Sequence, residues 1–144
     1  MNVQNFYQDQ NFDFQYLRNR RETFCWTLKS TEPATAGNYT VFAVMPRAGV
    51  VEEFWESHGT ACSSTGTLQL EKLTSGQALD AGTAVLSAAL ALNTTADIPQ
   101  RGTLSTTPAT LQFAKGDRFA LKDANTLTAT ANLVVELIVR YKNV

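Results

Sequence analysis

Alternation in the last third of the chain constrains its fold more than any other feature. Leu133, Val135, Leu137, Val139 and Tyr141 take every second position, and Val134, Glu136, Ile138, Arg140 and Lys142 take those between. Successive side chains on a strand point to opposite faces, so the pattern predicts a strand with one fully buried face, central in a sheet. Upstream, strand-like runs at Thr110–Ala114 and Arg118–Lys122 flank Lys115, Gly116 and Asp117. That spacing predicts a tight antiparallel reversal, with glycine where a positive φ is needed. Asp117 reads as a turn residue that accepts backbone hydrogen bonds.

Earlier runs repeat the signal. Phe24, Trp26 and Leu28 alternate until Glu32 and Pro33 end the run, and Tyr39–Met45 is continuously apolar, β-branched or aromatic until Pro46. Val50–Ser57 reads as strand from its β-branched and aromatic content. Gly66–Leu73 alternates, with Leu68 and Leu70 inward and Gln69 and Glu71 outward. Between Ser75 and Asn93 the Ala- and Leu-rich composition favours helix, and Leu86 and Leu90 would share its face, so a short helix followed by a strand is expected. Asn93–Gly102 reads as a loop broken by Pro99, and Leu104 as part of a short strand that Pro108 interrupts.

Seven or eight strands at spacings of roughly ten residues suggest a sandwich or barrel, and 144 residues suit one domain. The expected class is all-β: a jelly-roll-like β-sandwich over residues 23–144, an extended N-terminal arm over 1–22, and at most one short helix. An immunoglobulin-like sandwich is second, because Trp26 directly follows Cys25 instead of lying midway between Cys25 and Cys62. The two cysteines could pair or stay as free thiols.

The arm differs from the rest. Asn and Gln fill eight of its first nineteen positions, interleaved with Phe6, Tyr7, Phe12, Phe14 and Tyr16. Such a segment cannot build a core alone, yet its aromatics are costly to leave in water. It either packs across its own domain or docks on a neighbouring subunit through aromatics and amides. Arg18, Arg20 and Arg21 at its end are too few for a nucleic-acid stripe, and suit a solvated hinge or a partner's carboxylates. Twelve basic against thirteen acidic residues give a net charge of −1, so neither nucleic acid nor an anionic membrane is expected as a partner. The first residues lack the basic and apolar regions of a secretory signal, which predicts a protein made and kept in the cytosol, or leaving it by assembly or lysis.

No catalytic motif emerges, and no enzyme activity or cofactor is expected. His58 is the one histidine; its spacing to Cys62 is no zinc signature, and no nucleophile elbow surrounds Ser57. It reads as a structural or exposed loop residue, so no metal is expected and His58→Ala should be nearly silent. Glu52, Glu53 and Glu56 surround Phe54 and Trp55. Paired carboxylates beside aromatics could serve glycoside hydrolysis, but adjacent strand positions face opposite ways, so Glu52 and Glu53 should not meet. Phe54, Trp55 and Glu56 remain a candidate surface contact.

The blocks Gly66–Leu73, Ala88–Ala96, Gly102–Leu104 and Leu111–Leu121, with the valine-rich end, resemble small tailed-phage virion proteins. The resemblance covers about residues 66–142. It implies a jelly-roll-like sandwich of the kind found in capsid decoration (cement) proteins and in head or tail fibres. By that resemblance, the chain would be a structural protein on the capsid surface of a virion, stabilising the head by bridging capsomers. Its partners would be the major capsid protein and further copies of itself, preferably as a homotrimer. The alternative is a fibre or a receptor- or glycan-binding domain with exposed aromatic loops.

Overall fold

The computed structural model describes residues 20–31, 39–79, 81–125 and 127–142. Its strands are β1 (Arg21–Thr31), β2 (Tyr39–Val44), β3 (Gly49–Thr60), β4 (Thr67–Leu73), β5 (Thr83–Ala84), β6 (Leu90–Ala91), β7 (Gln100–Arg101), β8 (Gln112–Phe113), β9 (Arg118–Ala124) and β10 (Ala131–Tyr141). A single helical turn, α1 (Pro108–Leu111), precedes β8. One sheet runs β1-β10-β3-β7 with β8 also on β3, and the other runs β2-β9-β4-β5 with β6 also on β4. The two curled antiparallel sheets form a jelly-roll-like sandwich.

The C-terminal strand is central, as its alternation predicts. β10 lies between β1 and β3, with Leu137 opposite both Phe24 and Phe54. Leu133, Val135, Leu137, Val139 and Tyr141 are buried, and Val134, Glu136 and Arg140 face out. Each such buried aliphatic contributes about 1.5–3 kcal/mol relative to exposure. Phe119, Leu121, Leu68 and Leu70 meet them from the second sheet in one continuous core.

The turn chemistry at Gly116 holds, but its topology differs. Gly116 has φ +89°, and the Ala114 N–H donates to Asp117 Oδ2 at 2.8 Å. The reversal does not close a hairpin. β8 pairs with β3 and β9 with β2 and β4, so the turn carries the chain from one sheet to the other.

The helix expected between Ser75 and Asn93 is not formed there. That segment supplies β5, a bridge from Leu86 to Leu104, and β6. Its backbone completes the edge of β4: the Val85 N–H donates to Leu70 O, and the Leu92 N–H to Gly66 O, both within 2.9 Å. Pairing to an otherwise open edge outweighs the modest helix preference of alanine. Helix appears instead at α1, where Pro108 supplies the preset φ of a first turn.

Two further expectations are corrected. Glu71 is buried, because Gly82 of the following segment lies against its side chain and that of Leu73, and Lys122 Nζ reaches it at 3.3 Å. β1 begins at Arg21, so Arg21 and Glu22, assigned to the arm, belong to the sandwich.

Gly49 marks a tight approach of two strands. A Cβ there would lie 2.5 Å from Arg140 O and 2.5 Å from Phe113 Cζ, and Phe113 is held edge-on by Phe119 and Tyr141. Gly49→Ala is therefore expected to cost about 1–3 kcal/mol, read as a lowered urea midpoint with an unchanged slope.

Candidate interaction surface

β3 carries every side chain that the sequence singled out near Trp55, and a bulge decides which way each points. Ile138 pairs with Glu53 and Val139 with Val51, leaving Glu52 as the extra residue. A bulge places two consecutive residues on one side, so Glu52 and Glu53 both face out, contrary to the strict alternation expected. Glu52 bridges Arg21 at 2.6 Å and Arg140 at 2.8 Å, tying the three long strands of the sheet. Glu53 accepts the Trp55 indole N–H at 2.7 Å and lies 3.7 Å from Arg101. Arg101 in turn sits 5.8 Å from the centre of the Trp55 ring, a cation–π distance.

On the inner face are Phe54, Glu56 and His58, all almost completely inaccessible. Phe54 and Glu56 are therefore not surface contacts as isolated side chains, and of the three candidates only Trp55 lies on the outer face. His58 is a structural strand residue, not a loop one. Its Nδ1 lies 2.6 Å from Glu56 Oε1, and its Nε2 lies 3.3 Å from Thr94 O. The second carboxylate oxygen of Glu56 accepts from Gln100 Nε2 at 2.8 Å, and the same amide donates to Ala91 O. The Asp97 N–H closes the arrangement on His58 O at 2.8 Å.

With Nε2–H donating to a carbonyl that can only accept, one further proton lies between Nδ1 and Oε1. The pair is then neutral overall, as burial demands. Burial pushes the Glu56 carboxyl above its usual range, and the hydrogen bonds and charge of His58 and the bond from Gln100 oppose that shift. This buried network pins the segment from Ala91 to Gln100 onto β3. Ser57 points outward, away from His58 on the opposite face, so the neighbours form no catalytic pair.

The outer face above β3 and β10 holds a groove of about 230 Å³ lined by Trp55, Glu56, Ser57, Pro99, Val134 and Glu136, of which Glu56 is almost completely buried. Ile98, beside Pro99, is 55% exposed. Val134 and Glu136 were legible in the alternation of the last strand, whereas Pro99 and Gln100, which opens β7, lie in a stretch that the sequence shows only as loop. Cys25 lies at the groove's edge with its thiol 3.8 Å from Glu136 Oε1; partial burial and that carboxylate push the thiol up. Cys62 is buried in the core, and neither cysteine is in a disulfide.

Of the predicted arm contacts, Phe6, Tyr7, Phe12, Phe14, Tyr16 and Arg18 lie outside the described residues. Arg20 is exposed, and its carbonyl accepts the Tyr141 N–H at 3.2 Å. Arg21 serves the Glu52 ion pair inside the sandwich. Among the described residues no cluster of three or more His, Cys, Asp or Glu could hold a metal ion.

No family model matches the sequence, and no curated protein matches it. Solved structures do. A chain in the capsid of Ralstonia phage GP4 aligns at a TM-score of 0.58 and 22% identity, over 88% of this chain and 84% of that one. A chain of the cyanophage Pam1 capsid asymmetric unit aligns at 0.46 and 15% identity, over 85% of this chain and 84% of that one. A chain of infectious bursal disease virus, Gx strain, aligns at 0.43 and 13% identity, over 87% of this chain and 33% of that one. The chain shares its jelly-roll-like fold, over most of both lengths, with a chain of the Ralstonia phage GP4 capsid.

Proposed function

We propose that this chain is a structural virion protein, and specifically a capsid decoration protein that stabilises a phage head by bridging capsomers. The observation that carries this reading is the match of the whole sandwich to a phage-capsid chain of nearly the same extent. Its working parts are surfaces: the outer face around Trp55, and the arm with Phe6, Tyr7, Phe12, Phe14, Tyr16 and Arg18. The partners are the major capsid protein and further copies of this chain, arranged as a homotrimer around a three-fold axis.

Incubation with capsids lacking the protein tests the reading. Saturable binding by co-sedimentation is expected, together with a higher melting temperature of the decorated capsid, because a ligand of the assembled state stabilises it. Removing residues 2–19 is expected to leave the melting temperature of the free protein nearly unchanged while abolishing capsid binding. Binding to host cells or glycans, with none to capsids, would overturn the decoration role in favour of a fibre domain.

A further inference from the structure

We infer that the groove between Trp55, Pro99, Val134 and Glu136 is the seat of the arm segment Phe12–Arg18 of a second copy of this chain. The groove offers an apolar floor and wall with the exposed carboxylate of Glu136 beside them; the other lining carboxylate, Glu56, is buried and held by His58 and Gln100. Val134 is 38% exposed, and the Trp55 ring is fixed by its bond to Glu53 and by Arg101, so no side-chain freedom is lost on docking there. Among the described residues no basic side chain forms an ion pair with Glu136.

The arm carries the complement. Phe12, Phe14, Tyr16 and Arg18 fall on alternate positions, so an extended segment presents three aromatics and then a cation along one side. The aromatics match Trp55, Pro99 and Val134, and Arg18 matches Glu136.

Direction selects a second copy over the same one. Arg20 continues the pairing of β1 with β10, because its carbonyl accepts the Tyr141 N–H. Glu136 lies opposite Cys25, about 13 Å along β1 from Arg21 at strand rise. Arg18 is two residues from Arg20 and reaches its own groove only by an immediate reversal, whereas the groove of a neighbouring copy needs none. The inference deepens the proposed role of the arm, yet requires no capsid.

The test is self-association of the full-length protein in solution, by sedimentation and light scattering without capsids. Wild type is expected to associate at micromolar concentration. Val134→Lys, Glu136→Arg and Arg18→Glu should each weaken association by about 10-fold or more. The Arg18→Glu/Glu136→Arg pair should restore most of it. All are surface or arm changes, and thermal melts should confirm unaltered folding. A wild type that stays monomeric would overturn the inference, as would single variants that associate normally or a charge swap that fails to restore. Capsid co-sedimentation separately reads the decoration role, so either proposal can fail alone.

Discussion

His58→Ala is expected to lower stability by about 3–5 kcal/mol at neutral pH, the cost of breaking a buried pair by removing one partner. The nearly silent substitution expected from sequence does not fit a histidine buried on β3. Removing the imidazole leaves the Glu56 carboxyl inside with a single donor, Gln100, and frees Thr94 O. Glu56→Gln is the informative contrast. A glutamine amide can donate to His58 Nδ1 while its carbonyl accepts from Gln100, so its cost should stay within about 1 kcal/mol. The two variants also separate by pH. The Glu56 carboxyl is raised in the fold by burial, so the folded state holds this proton more tightly than the unfolded chain. Its contribution is greatest at low pH and is lost as pH rises through the raised value. Glu56→Gln removes that dependence, so urea titrations should show the variant gaining on wild type as pH rises above the ordinary carboxylate range. A His58→Ala protein that melts with wild type would show that the network does not form.

Phe54→Ala is expected to cost about 3–5 kcal/mol, a fall of about 10 °C or more in Tm, whereas Trp55→Ala should cost about 1 kcal/mol. Both are large aromatics at adjacent positions, and only the register of β3 tells them apart. Phe54 is fully buried, with its ring against Gly102. Trp55 covers the outer face and loses one hydrogen bond and one cation–π contact. Thermal unfolding followed by circular dichroism reads both. Equal losses would mean that the bulge at Glu52 does not set the faces as described.

That pair of residues also shows where sequence reading stops. The long strands were legible because a half-buried strand writes its period directly into the chain, as from Leu133 to Tyr141. The same period, started from Phe54 as an inward residue, places Glu56 and His58 inward too. Their polarity argued for the surface, and what reconciles it with burial is Gln100, 44 positions away, in a stretch readable only as loop. The bulge is a property of two strands in register, so Glu52 and Glu53 alone could not reveal it. The misplaced helix has the same origin: the edge of β4 that recruits Val85 and Leu92 is not written in the Ala- and Leu-rich segment itself.

The central position of β10 sets a constraint on synthesis. Cys25 and Glu136, neighbours across the sheet, are 111 positions apart in the chain. Among the described residues β1 and β3 share no ladder, and their backbones are joined through β10. During translation both must wait, with apolar faces bare, until β10 has left the ribosome. Such long-range pairing folds slowly and exposes strand edges meanwhile. A premature stop that removes β10 alone would leave the first sheet without its shared partner, so truncated chains should go to aggregates or proteases, not to assembly.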